Sequence, residues 1–280
     1  SAASDVYKRQ YRWGEDGLLG FCDRQCRLCF AVALWNTRDP ILKERLFGLN
    51  GLEGNHGEDV KEEYYYLDAT PTYSYARGLY KYPATEYPYG RLVRENQHRS
   101  RQLPELELVD TGAFDRNRYF DVQIEYAKAE PDDILIRIRI TNHGPTVAPI
   151  HVLPTLWFRN TWSWGCTHEG CWTKPRIALA ADGRLDAHHQ TLGHFRFAAD
   201  VAPDGRSPQW LFTENESHAD YLPADAYVSP YTKDAFHRCV VDGHADAVNR
   251  DGSGTKAAAH YRMTLRSGES AVLQLRLWSA

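Results

Sequence analysis

Very little in this sequence points to a membrane, a nucleic acid or a nucleotide. No uncharged apolar run approaches the roughly 20 residues that a helix needs to cross a bilayer. A formal net charge of −4 leaves no basic surface to draw in a phosphate backbone or an anionic lipid, so neither nucleic acid nor membrane is an expected partner. No Gly-rich phosphate loop, dinucleotide fingerprint or serine nucleophile elbow is present, and no internal repeat or low-complexity tract. Methionine occurs once, and not at the first position. The six cysteines do not make a disulfide framework, which a chain of 280 residues does not need. Reduced thiols in a cytoplasmic protein are the expectation.

Aromatic residues are the excess, with 17 Tyr, 10 Phe and 8 Trp. Flat rings fill large β cores, and they also stack on sugar rings. The opening Ser1–Gln10 reads as a translated sequencing-adapter remnant and is set aside from fold reasoning. Residues 11–280 read as one domain.

From residue 120 onward the hydrophobic period is two. Phe120, Val122, Ile124 and Tyr126 alternate with polar residues, Pro131-Asp132-Asp133 turns the chain, and Ile134 to Ile140 follows with Arg137 and Arg139 on the other face. Asn142-His143-Gly144-Pro145 is a second turn and Asp182-Gly183 a hairpin signal after Ile177-Ala178-Leu179. Phe195–Phe197, Trp210–Phe212, Cys239–Val241, His260–Leu265 and Ala271–Leu277 complete the strands. Short strands separated by turns predict a mainly β protein, an antiparallel β-sandwich, with few helices beyond residue 120. The first hundred residues predict a few helical excursions. Asp39-Pro40 has the form of an N-cap and first helical residue over 39–48; Thr70-Pro71 starts a second through Tyr75 and Leu79; Pro88 to Arg101 is a third.

Several clusters carry chemistry-bearing residues. Cys22-x3-Cys26-x2-Cys29 has the spacing of a four-iron cluster motif, and an iron–sulfur protein is a remote alternative. The strand-rich surroundings favour Cys29 as a small core residue instead, with the three sulfurs not converging. Cys166, His168 and Cys171 match no common zinc knuckle. No cofactor and no metal is therefore expected. The polar run 54–62 offers Asn55, His56, Glu58, Asp59 and Lys61 between glycines, and Trp13, Glu15 and Asp16 form a second such cluster. Both are candidate substrate-binding sites, and both read equally as solvated loops.

Longer motifs sharpen this. Leu34-Trp35-Asn36, the run 39–49, GNHGEDVKE (54–62), YYLDATPTYSY (65–75), RYFDVQIEYAK (118–128), LPTLWFRNTWSW (153–164), KDAFHR (233–238) and GTKAAAHYR (254–262) together resemble bacterial members of glycoside hydrolase family 63. These are the glucosidase-like and mannosylglycerate-hydrolase-like proteins. The resemblance implies an amino-terminal sandwich of the super-sandwich type packed on a carboxy-terminal (α/α)6 barrel. The whole enzyme would hydrolyse an α-glycosidic bond of a glucoside or related oligosaccharide with inversion. Its catalytic acid and base would come from the barrel, to which nothing in this sequence corresponds. The implied role here is a non-catalytic domain whose partners are an oligosaccharide and its own barrel. The alternative is a self-standing carbohydrate-binding sandwich.

Overall fold

The computed structural model describes residues 17–47, 62–100, 102–164, 170–216 and 229–280. Four strands come first: β1 (Leu18–Cys22), β2 (Leu28–Trp35), β3 (Tyr64–Ala69) and β4 (Tyr75–Pro83). Helix α1 (Tyr89–His98) follows, then β5 (Tyr119–Glu130), β6 (Asp133–Asn142) and β7 (Ala148–Phe158). Next come β8 (Arg176–Leu179), β9 (Leu185–His189), β10 (Gly193–Ala199) and β11 (Gln209–Thr213). A short helix α2 (Ala235–Val240) precedes β12 (Ser253–Gly254), β13 (Lys256–Leu265) and β14 (Ser270–Ser279).

These strands make two antiparallel sheets. One has five strands in the order β1-β2-β7-β13-β11, the other nine in the order β12-β8-β9-β10-β14-β6-β5-β4-β3. The period-two pattern sets the registers. On β6, Ile136, Ile138 and Ile140 point inward and Arg137 and Arg139 outward, and Ile138 pairs with Ile124 on one side and Leu273 on the other. These residues meet Phe30, Val32, Val152, Leu156 and Tyr261 of the five-stranded sheet in one apolar core. A mainly β, two-sheet architecture is thus the fold, as the alternation predicts.

The five-stranded sheet is covered on its outer face as well. Ala33, Leu153, Leu211 and Ala258 pack there against Leu42, Phe236, Ala247 and Val248. Burial on both faces explains the unbroken apolar runs of β2 and of Ala257-Ala258-Ala259, where small side chains let the covering layer approach closely.

The local helix signals fare unevenly. Residues 89–98 are helical, with Leu92 buried and the Asn96 amide bonded to both the N–H and the carbonyl of Leu106. The stretch 39–48 is not a helix in its described part. Leu34 and Lys43 exchange backbone hydrogen bonds at 2.9 Å, so the segment lies extended against β2. Asp39 is buried: its Oδ1 accepts from the Ile41 N–H at 3.1 Å, as a cap would, and its Oδ2 from the Tyr82 and Tyr89 hydroxyls at 2.8 and 3.1 Å, but the pairing with β2 keeps the chain extended. The helix expected from Thr70 is a hairpin turn leading into β4, whose Tyr80 and Tyr82 alternate into the core. Residues 239–241 end a helix rather than form a strand, because Ala235 and Phe236 roof the outer sheet face.

Two stability predictions follow from these layers. Ile138→Ala, at a site with no exposed surface, costs about 2–5 kcal/mol in urea unfolding, whereas Arg139→Ala on the other face stays near zero. The second concerns pH. His260 Nε2 lies 3.0 Å from His151 Nδ1 under the Trp35 ring, and buried His260 Nδ1 has no hydrogen-bond partner among the described residues. Burial first, and then the neighbouring positive charge of Arg262, hold His151 at about 4; burial and then His151 itself hold His260 at about 3. The unfolded chain takes up these protons from about pH 6.5 downward, well before the folded one does. Stability is therefore complete above that pH and lost as pH falls through the window from 6.5 to about 3. Tm measured at pH 7.5 and 5 falls less in His260→Gln; an equal fall in both proteins contradicts the assignment.

Candidate functional site

The eight candidate substrate-binding residues, Trp13, Glu15, Asp16, Asn55, His56, Glu58, Asp59 and Lys61, lie outside the described residues. The ends of the 48–61 segment, however, are described, and they are tied together. Glu62 Oε1 accepts from Lys43 Nζ at 2.5 Å and from the backbone N–H of Phe47 at 3.0 Å. Both charged side chains are essentially fully buried, with relative exposures of 1% for Lys43 and 0% for Glu62. The Lys43 ammonium also sits 4.0 Å from the Tyr87 ring centre and 4.5 Å from that of Tyr89, where the negative ring faces replace lost hydration. Asp39 adds a carboxylate to the same box; burial raises its pKa against the opposing charge of Lys43.

A second feature is concave. An open cleft of about 470 Å³ lies beside β8, β9 and β10, lined among others by Lys174, Arg176, His188, Gln190 and His194. The His188 and His194 rings stack at 4.0 Å, and His194 Nε2 lies 3.1 Å from the Asp186 carboxylate. Lys174 joins this wall to a carboxylate network: its ammonium donates to Glu216 at 2.7 Å and lies 3.3 Å from Glu214. Trp162 Nε1 and the Thr255 hydroxyl, each at 2.7 Å, donate to Glu216 and Glu214. Burial pulls the Lys174 ammonium down, yet the hydrogen bond to Glu216 and the charge of Glu214 outweigh it and the pKa ends raised. With Lys174 paired to Glu214 and Glu216, the cleft offers imidazoles and an amide, groups suited to hydroxyl-bearing ligands. Sequence reasoning missed it. Glu214 and Glu216 follow β11 of the five-stranded sheet and Lys174 precedes β8 of the nine-stranded one, so only the packing of the two sheets brings the ammonium to the carboxylates.

A third feature is an apolar edge. Strand β3 ends the nine-stranded sheet, and Tyr66 on it is 87% exposed, with Tyr65, Leu67 and the turn residue Tyr73 also exposed. Such an edge is usually blunted by charge or covered.

The cysteines depart from expectation twice. Cys171 is disulfide-bonded, so not all thiols are reduced. Of the trio expected not to converge on one site, Cys22 and Cys26 bring their sulfurs to 3.4 Å. Cys29 instead directs its thiol at the Cys26 carbonyl at 3.5 Å, and among the described residues no group of three His, Cys, Asp or Glu side chains could hold a metal ion.

No family model matches the chain. It is 40% identical over 284 residues to Uncharacterized protein YMR196W of Saccharomyces cerevisiae, the alignment taking in 90% of this chain and 26% of that protein. The chain thus spans about a quarter of the length of the curated relative it matches. A solved structure named Polysaccharide Lyase BACCELL_00875 overlays on 90% of this chain and 25% of its own, at 12% identity and a TM-score of 0.36, a value too low to equate the folds.

The pinned loop base yields a direct test. Lys43→Met or Glu62→Leu alone leaves one buried charge unpaired and costs about 3–5 kcal/mol by chemical denaturation. The double substitution recovers most of the loss, because neither charge then remains. A double variant as unstable as the sum of the two singles contradicts the pairing.

Proposed function

We propose that this sandwich is the non-catalytic amino-terminal domain of an inverting glycosidase of the family 63 type, acting on α-glycosidic bonds of glucosides or related oligosaccharides. The observation that carries the reading is the exposed aromatic edge of β3, a surface fit to be covered by a further domain of the same polypeptide. The two-sheet architecture that the motif resemblance implies supports it. So does the relative's length, three-quarters of which the similarity leaves free for a helical barrel. In the whole enzyme one carboxylic acid protonates the glycosidic oxygen while a carboxylate on the opposite face activates water. This domain's contribution is to wall the pocket, through the 48–61 segment pinned at Lys43 and Glu62. The cleft with its Trp162–Glu216–Lys174 network favours a second reading, a carbohydrate-binding module that acts alone.

The two readings separate by assay. The 280-residue chain, incubated with a panel of α-linked glucosides, releases no sugar above blank, and calorimetry with the same oligosaccharides shows no binding of its own. Turnover by this chain refutes the non-catalytic role, and tight binding without turnover supports the module. In the full-length protein, His56→Ala and Asp59→Asn lower kcat/KM at an unchanged melting temperature. Unchanged kcat/KM in both shows the 54–62 run to be surface.

A further inference from the structure

Among the described residues, two cysteine sulfurs come together where β1 turns into β2. Cys22 ends β1 and is exposed, Cys26 sits in the connecting turn, half-buried, and Cys22 is the ladder partner of Cys29 across the hairpin. The turn is held in place by one side chain. Asp23 Oδ1 accepts from the N–H groups of Arg27 at 2.6 Å and Leu28 at 2.9 Å, and Oδ2 from Gln25 N–H at 3.1 Å and Arg27 Nε at 3.0 Å. The Cys26 N–H donates to the Asp23 carbonyl at 2.8 Å. Cys26 itself has φ +54°, a left-handed conformation that a β-carbon disfavours and that these bonds impose. The result is two sulfurs 3.4 Å apart, one open to solvent and one behind it.

We propose that Cys22 and Cys26 are a redox-active dithiol that closes to a disulfide by exchange with a low-molecular-weight disulfide such as oxidised glutathione. The Cys22 thiolate, the accessible one, attacks a sulfur of the external disulfide. That S–S bond breaks, one glutathione thiolate leaves, and a mixed disulfide stays on Cys22. The Cys26 thiolate then attacks Cys22 Sγ and expels the second glutathione. The protein pair loses two electrons and two protons, and the external disulfide gains both as two thiols. Closure shortens the sulfur separation from 3.4 Å to a bond of about 2.05 Å, a movement of a turn rather than of a strand. In the dithiol the Cys26 thiol is pushed up to about 12, by burial first and then by the hydrogen bond and charge of Cys22. The mixed disulfide at Cys22 removes both of the latter causes, so the first exchange readies the second thiol. A metal fits less well, since two thiolates on one tetrahedral zinc stand nearly 4 Å apart on the order of the Zn–S bond lengths involved.

Trypsin makes the test unambiguous, because Arg24 and Arg27 place Cys22, Cys26 and Cys29 on three separate peptides. The intact protein is equilibrated in glutathione buffers of increasing oxidised fraction, alkylated and digested without reductant. The expected product joins the Cys22 peptide to Gln25-Cys26-Arg27, rises with the oxidised fraction and disappears with dithiothreitol. Cys26→Ser traps a lasting glutathione adduct on Cys22, and Cys22→Ser loses both adduct and cross-link. Absence of the Cys22–Cys26 peptide in the most oxidising buffer overturns the proposal. So does a Cys22–Cys29 link formed in its place, or an equivalent of zinc in the purified protein that blocks the exchange. Circular dichroism of both variants shows that the sheet is retained, so loss of the cross-link is read on folded protein.

Discussion

The five-stranded sheet is buried on both faces, and this constraint shapes most of what surrounds it. A sheet face left in water would expose Ala33, Leu153, Leu211 and Ala258, so other parts of the chain must cover them. Residues 39–47, helix α2 and the segment around Ala247 and Val248 are that cover. The first of these runs extended because Lys43 bonds to the β2 backbone, and that path carries Asp39 and Lys43 beneath Tyr82, Tyr87 and Tyr89. A charge placed so deep requires a counter-charge, and Glu62 is recruited from the far end of a polar segment to supply it. The geometry of the loop base is thus a consequence of how the outer sheet face is sealed.

The same constraint separates what the sequence discloses from what it conceals. Alternation from Phe120 to Ile140 is a direct imprint of one buried and one solvated face, so β5, β6 and their turn are legible residue by residue. Asp39-Pro40 and Thr70-Pro71 carry helix-start chemistry, yet neither starts a helix. Asp39 Oδ1 still accepts from the Ile41 N–H, but its Oδ2 is held by two tyrosine hydroxyls and the following chain pairs with β2, while the Tyr80–Tyr82 alternation commits β4 to the core. Cys239-Val240-Val241 has the β-branched look of a strand, but its task is to complete a helix over the outer face. Local propensity loses in each case to burial.

Site residues were less legible than fold for a related reason. Glu214 and Glu216 follow a strand of one sheet and Lys174 precedes a strand of the other, and only the packing of the two sheets brings them together beside Trp162. The Cys22–Cys26 approach depends on the Asp23 side chain turning the backbone into a left-handed conformation at Cys26, which spacing alone does not reveal. Strand parity separates Cys26 from Cys29 and says nothing against Cys22 meeting Cys26, but a turn obeys no such parity.

We propose the sandwich as one part of a longer hydrolase, with β3 as its joining edge. The most direct measurement is the nucleotide sequence of the source gene beyond codon 280. The account predicts an open frame of several hundred codons with the helical periodicity of an (α/α)6 barrel. A stop codon immediately after Ala280 would contradict it and leave a sandwich that works alone.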